Sequence, residues 1–478
     1  MSSALVLRNA APWHVLDGFG RAVQRASRLA TPRTVDELRN VMLHAAAEDL
    51  PVTFRGAGRS YGDASLATGG VVVDTSALRR VIAWDPRTGI FEGEPGITIE
   101  QLWRHTLGDG YWPAVVPGTM RPTLGGCVAM NIHGKNNFRV GGFGDQVLEV
   151  ELLTADGTLR TLSREREPEL FRAVVGGLGL LGAITRVKLK LKKVESGQMR
   201  VRALVGHSLM EMFDLFEQNV ATADYLVGWI DSFAEGEGLG RGQVHVASYL
   251  HRDEDPDWQQ SLLVDRQDLP SSIMGVPKKH LWRIMRPFMR DPFVRLVNWA
   301  KHLKNCWDHD DTYLQSHVAF AFLLDYVPDW RLAYGSAGFI QYQVFVPDVG
   351  ARECLRDVLQ ICQRENFVSY LSVLKRHRPD EFLLTHALDG WSLAMDFPVR
   401  DVNEAGWRRR VAKATEALTE RVLAAGGRFY FAKDAVLRAS DVQRAFGSER
   451  LARFDALRRQ VDPQRRLSSA LAERVLQG

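Results

Sequence analysis

Phe54-Arg55-Gly56-Ala57-Gly58-Arg59-Ser60-Tyr61-Gly62-Asp63 is the stretch on which the reading of this chain turns. It follows Pro51-Val52-Thr53-Phe54, a β-type run, so it reads as a glycine-rich loop leaving a strand. A second such stretch runs from Pro117-Gly118-Thr119 through Thr123-Leu124-Gly125-Gly126 to Asn131-Ile132-His133-Gly134-Lys135-Asn136. Glycine permits positive φ and lets backbone N–H groups approach a ligand with no Cβ in the way. Successive N–H groups in such turns form a concavity that holds anions. The first loop lacks the Gly-Lys-Ser/Thr of a P-loop, and it does not open a helix as the dinucleotide-binding Gly-x-Gly-x-x-Gly does. One glycine loop is ordinarily a turn. Two of them, the second closing on His-Gly-Lys-Asn, point to an anionic ligand held between them.

Outward from these loops the pattern is mixed. Thr34 with Glu37 three residues on forms a capping box, and Val35, Leu38, Val41, Met42 and Ala45 follow at helical spacing. The runs at 70–74, 81–84 and 90–96 read as strands, and Thr98 opens a short helix. The run 145–154 alternates and meets an Asp156-Gly157 hairpin turn. Residues 169–174 read as a helix leading into a third glycine run, Gly176 to Gly182, ahead of a strand at 183–192. The rhythm changes near Val194-Glu195-Ser196. From there to about residue 425 long strands alternate with two helical stretches, 351–364 and 402–425. The strand 339–346 puts Gln341 and Gln343 on one face. The result is an α+β chain.

Composition narrows the class. A chain of 478 residues is too long for one ordinary core, so two domains are expected. Net charge of +4 is too small to point to nucleic acid. The four cysteines, Cys127, Cys306, Cys354 and Cys362, show no CxxC and no metal spacing, and read as free thiols in a reducing compartment; no metal is expected. No run of about 18 apolar residues exists. The N-terminal residues carry no long apolar segment, so no signal peptide is expected and the chain reads as cytoplasmic.

The ordered set "RGAGRSYGD", "PGT…TLGG", "NIHGKN", "LLTADG", "VGGLGLLGAI", "YGSAGFIQYQ", "GWSLAMDFP" and "FAKD" resembles the vanillyl-alcohol oxidase / p-cresol methylhydroxylase family. Within it the set is most similar to the branch that oxidises a polyprenyl-phosphoryl ribose in cell wall biosynthesis. The resemblance covers nearly the whole chain. It implies a two-domain flavin-binding fold with a discontinuous FAD domain: residues 1–196, an antiparallel-sheet substrate (cap) domain at 197–425, and a C-terminal return at 426–478. It implies FAD as cofactor. Arg55, Gly56, Ala57, Gly58, Arg59, Ser60 and Tyr61 would hold it, with Gly118, Thr119, Thr123, Gly125 and Gly126 as a second wall. Met130, Ile132, His133, Gly179, Ile184 and Tyr430 complete the expected cofactor set. Many relatives attach FAD through a histidine in the first loop. Gly58-Arg59-Ser60 offers neither histidine nor cysteine there, so non-covalent FAD is expected.

Lys433 stands at the family's catalytic lysine. An ammonium beside the flavin would stabilise the negative charge gained on reduction, and, with its pKa lowered by burial, Lys433 could accept the substrate proton. His133 joins it in the expected catalytic set, in the role of shaping the site. Lys135, Trp229, Gln341, Gln343 and Lys375 match substrate-pocket positions, Lys135 as a phosphate contact. The chain departs from its mycobacterial relatives at Ala394, where they carry cysteine, and at Leu178 and Ser392, where they carry asparagine.

The segment between Pro277 and Trp307 sets eight cations, Lys278 to Lys304, against one acid, Asp291, among large apolar side chains. It reads as a membrane-surface element, as a lid over the substrate pocket, or as both. The expected activity is FAD-dependent oxidation of a sugar secondary hydroxyl: the 2′-OH of a polyprenyl-phosphoryl pentose to a 2-keto sugar. A separate NAD(P)H-dependent short-chain reductase would complete an epimerisation, and a peripheral membrane surface is a further partner. The rival readings are an aldonolactone or alditol oxidase using oxygen, and a flavin-binding redox protein without turnover.

Overall fold

The computed structural model describes residues 12–273, 275–308, 310–400 and 405–476. The signal-peptide reading and the start of the helix expected from Val402 lie outside the described residues.

The first unit opens on a four-stranded mixed sheet in the order Trp13–Asp17, Gln24–Ala30, Val71–Asp74, Val52–Arg55. Helix Val35–Ala47 connects two of its strands and buries Leu38, Met42 and Ala45. Thr34 caps it by accepting from Glu37 N at 3.1 Å. The Glu37 carboxylate returns to Arg33 N at 2.7 Å instead of to Thr34, so the expected box closes one residue early. A five-stranded antiparallel sheet follows in the order Val81–Asp85, Ile90–Gly93, Ala183–Lys190, Val147–Leu153, Leu159–Ser163. Helix Ile99–Thr106 carries a complete capping box between Thr98 and Gln101.

The second unit is built on an eight-stranded sheet whose ladders are all antiparallel. Its central strands Leu371–His377, Gly390–Pro398 and Phe339–Pro347 bring Lys375, Asp396, Gln341 and Gln343 to one region. Two findings correct the expectation. Helices are more numerous than the two expected: Leu209–Asn219, Lys278–Met285 and Asp291–Trp307 also form. The first of these was legible, since Ser208 caps it and Leu209, Met212, Phe213 and Phe216 are buried at helical spacing. The sheet also takes its last strand, Arg428–Phe429, from beyond residue 425, because Phe429 pairs with Val344. The chain turns back to the first unit only after that strand.

The return is fastened by backbone and by charge. Val52 N donates to Arg466 O at 2.8 Å and Ser468 N to Val52 O at 2.9 Å. Tyr61 N donates to Ala432 O at 2.8 Å, and a Cβ on Gly62 would stand 1.9 Å from Asp434 O, so only glycine allows this approach. Arg474, in helix Ala470–Val475, donates from Nε and Nη2 to Asp63 at 3.0 and 2.8 Å and reaches Asp434 at 2.9 Å. Both carboxylates are buried. Removing the one cation they share leaves buried charge unpaired, which costs about 3–5 kcal/mol. Arg474→Ala is therefore expected to lose that much in urea-unfolding free energy, and Arg474→Lys less. A loss within the error of the extrapolation would mean the bridge is incidental.

Candidate active site

Both glycine loops, the strand end after Phe429 and the central strands of the large sheet line one cavity of about 490 Å³. This lies in the range of cofactor and ligand sites, roughly 300–1,000 Å³. Every residue assigned to the site from sequence lines it except Arg55. The Arg55 guanidinium turns away, donating to Asp17 O and Ser65 Oγ, each at 3.0 Å, and so braces the loop from behind. Gly58 has φ of 62°, and a Cβ there would stand 2.3 Å from Arg55 Nη2, so brace and turn require each other.

The residues present fit an FAD. Among the described residues, the N–H groups of Ala57, Gly58, Arg59, Ser60, Gly118 and Thr119 donate no hydrogen bond to protein, and Arg59 Nε is buried without a partner. Donors left open in this way are what a pyrophosphate takes up. Gly125 differs from its expected role, because its N–H is spent on Pro95 O at 2.9 Å. Gly126 N is turned towards Thr123 Oγ1 at 3.4 Å. These two glycines contribute close packing to the second wall, not donors. Thr119 Oγ1 and Met120 N both donate to Asp325, at 2.8 and 2.7 Å, which fixes the turn between them. Leu178, also on the cavity wall, holds a left-handed φ of 62°, a strain of about 1–3 kcal/mol for a residue with a Cβ. Asparagine adopts that conformation more readily.

The polar end of the cavity is rich in buried cations. Lys433 Nζ lies 3.5 Å from the centroid of the Tyr61 ring and has no ion-pair partner among the described residues. Burial pulls its pKa well down from the lysine range; Lys375 lowers it further, and Asp396 opposes the shift. Asp396, which the sequence reading missed, is pushed up by burial, while its hydrogen bond from Gln341 and the Lys433 charge pull it back. The two groups therefore compete for a proton. Lys135 is lowered to about 7, chiefly by burial and then by Lys375, and Lys375 is lowered to about 8 by burial. Lys135 donates to Phe320 O. Asp396 Oδ2 and Gln341 Oε1 are buried with no partner among the described residues. Two orphaned acceptors beside an ammonium are suited to the hydroxyls of a polyol.

His133 sits behind this end. Its Nε2 lies 3.0 Å from Gln343 Nε2, and its Nδ1 3.5 Å from Lys375 Nζ. Burial, Lys375, His377, His386 and Lys433 all hold it neutral. Its rings neighbours are His377, His386, Phe345 and Tyr430, with centroids 5.0 to 5.6 Å away. Its two ring nitrogens face Gln343 and Lys375, so the neutral ring is placed to orient both side chains. Ser392, tied to His377 Nε2 at 2.7 Å and to Gln343 Nε2 at 3.3 Å, supports the same network from outside the cavity. Trp229 carries Lys301 Nζ 3.8 Å from a ring centroid, and Lys301 lines the cavity. Helix Asp291–Trp307 thus contributes Lys301 to the cavity wall.

Comparison with known proteins agrees with this geometry. Residues 26–163 match the model of the FAD binding domain. Decaprenylphosphoryl-beta-D-ribose oxidase of Mycolicibacterium smegmatis is 31% identical over 96% of this chain and 97% of its own length. An uncharacterized protein of Streptomyces coelicolor, from the mprA 5′ region, is 28% identical over 79% of this chain and 100% of its own. Cytokinin dehydrogenase 6 of Oryza sativa is 38% identical over 38% of this chain and 36% of its own.

Purified protein is expected to be yellow and to release FAD into solution on acid denaturation. Flavin that stays with the precipitate would contradict a dissociable cofactor. Gly58→Val is expected to lower flavin occupancy, measured as the ratio of visible to ultraviolet absorbance; occupancy equal to wild type would mean the first loop does not hold the cofactor.

Proposed function

We infer the function from one premise: this chain belongs to the FAD-binding oxidoreductase family that includes decaprenylphosphoryl-β-D-ribose oxidase, and it is an FAD-dependent oxidoreductase acting on CH–OH groups. We propose that it oxidises the 2′-hydroxyl of a polyprenyl-phosphoryl pentose to a 2-keto sugar. A separate NAD(P)H-dependent reductase would return the ketone as the epimeric alcohol. The observation that carries this reading is the pairing of buried Lys433 with the unpartnered oxygens of Asp396 and Gln341 in the cavity that holds the open N–H loops.

FAD, when held by the two glycine loops, would supply the hydride acceptor for the carbon bearing the hydroxyl. The protein's part is to take the hydroxyl proton and orient the sugar. Neutral Lys433 accepts the proton at Nζ, and the ammonium so formed offsets negative charge that builds in the site. Asp396 and Gln341 accept from neighbouring sugar hydroxyls. Lys135 and Lys375 supply positive charge for the phosphate.

The lipid part of the substrate would be met by the segment 278–307. On helix Asp291–Trp307 the buried positions include Asn298, His302 and Asn305, while Phe293, Leu296, Val297, Trp299, Leu303 and Trp307 are exposed, Trp307 to 89%. A helix that turns polar residues inward and apolar ones outward needs an apolar partner. Basic residues beside that face supply attraction to an anionic leaflet, about 1 kcal/mol per Lys or Arg near the surface. Among the described residues no helix is long and apolar enough to cross a membrane. The exposed apolar and basic faces of this segment suit a peripheral site on an anionic membrane surface.

Three outcomes test this reading. Under anaerobic conditions a prenyl-phosphoryl ribose is expected to bleach the flavin faster than free sugars, alditols or aldonolactones; preferential bleaching by a lactone would favour an aldonolactone oxidase. The bleaching rate is expected to rise with pH as Lys433, its pKa lowered by burial, loses its proton. Lys433→Ala should retain flavin, lose roughly 10²-fold or more in rate and flatten that rise. Asp396→Asn removes the charge that holds the lysine pKa up, so the rise should move to lower pH. An unchanged profile in Lys433→Ala would assign the proton to another group. In co-sedimentation with anionic vesicles at low salt, the variant with Lys278, Lys279, Arg283 and Arg286 changed to Gln should bind less than wild type. Equal sedimentation would leave the segment as a lid alone.

A further inference from the structure

Outside the cavity, one cluster of potential metal ligands stands out: His207, His302 and Cys306, whose ligating atoms all lie within 4.8 Å of one another. His302 and Cys306 are four apart on helix Asp291–Trp307, so both project from one face on successive turns. His207 follows the strand Gln198–Gly206, which lies next to the edge strand of the large sheet. None of the three lines the flavin cavity.

We propose that His207, His302 and Cys306 bind a zinc ion that fastens the helix Asp291–Trp307 to the large sheet. The separation between Cys306 and His302 matches. Zn–S of about 2.3 Å and Zn–N of about 2.0–2.1 Å at a tetrahedral angle put the two donor atoms roughly 3.6 Å apart. Cys306 Sγ and His302 Nε2 are 3.6 Å apart. The His302 side chain is 6% exposed, so an ion at its Nε2 would be largely shielded from water. The Arg241 charge is answered by Asp231, at 3.0 Å, which also accepts from Asn298 on the same helix. The electrostatics near the cluster therefore tolerate a cation once Cys306 binds as thiolate and gives its proton to solvent. His207 is exposed, so a fourth position is open to water.

Such an ion would have a structural consequence for the lid. Helix Asp291–Trp307 buries mostly polar positions, so hydrophobic packing alone fixes it weakly, while Lys301 must be held over Trp229. A metal joining two elements distant in sequence supplies the missing restraint.

The test uses the flavin-loaded full chain, stripped with EDTA, re-equilibrated with zinc sulfate and freed of excess metal by gel filtration. Zinc and flavin per chain are then measured by plasma mass spectrometry and absorbance. Wild type should retain about one zinc per chain. Cys306→Ser and His302→Asn should each retain roughly tenfold less or lower still, with flavin content unchanged. Zinc should raise the thermal midpoint of wild type, reversibly with EDTA, and leave Cys306→Ser unmoved. Wild type that retains no zinc, or variants that retain as much as wild type, would overturn the proposal.

Discussion

One guanidinium holds the two ends of this active site together. Arg474 binds Asp63, which closes the first glycine loop, and Asp434, the neighbour of Lys433. The loop that offers free N–H groups and the turn that carries Lys433 come from opposite ends of the chain. Their relation is set by this bridge, by the Tyr61 N to Ala432 O bond, and by a glycine at 62 that lets the two backbones meet. The chain must leave, build the large sheet, and return before the site is complete.

The second constraint is electrostatic. Lys135, Lys375 and Lys433 are gathered in one water-poor space with a single carboxylate, Asp396, on its wall. Desolvation drives each lysine towards its neutral form and the acid towards its protonated form, so the site sits close to the charge change that the chemistry demands. An anionic substrate would relieve the crowding of cations, while Lys433 can still trade a proton. The same desolvation favours the neutral form of His133, whose ring nitrogens contact Gln343 and Lys375.

Much of this was legible in sequence, and for physical reasons. Glycine loops after β-runs declare themselves because only glycine serves there, and Thr34 and Thr98 announce their helices through side-chain caps. Other features were not legible. Asp396 lies within Gly390–Pro398, where an acid in a strand reads as surface polarity; its importance comes from burial opposite Gln341 across the ladder. The turning away of Arg55 and the occupied N–H of Gly125 depend on partners that no local pattern reveals. The inverted helix Asp291–Trp307 gave a signal of charge and aromatic content but not of which face looks inward. His302 and Cys306 stand four apart in sequence, but nothing local shows that the sheet brings His207 beside them.

The central claim is that the cavity presents the carbon bearing the sugar 2′-hydroxyl for hydride loss while Lys433 takes the hydroxyl proton. Anaerobic stopped-flow reduction of the flavin by prenyl-phosphoryl ribose carrying deuterium at C2, compared with deuterium at C3, tests it most directly. Slowed reduction with the C2 label and unchanged reduction with the C3 label is the predicted result. An isotope effect at C3 alone, or reduction insensitive to both labels in a single-turnover regime where chemistry limits the rate, would contradict it.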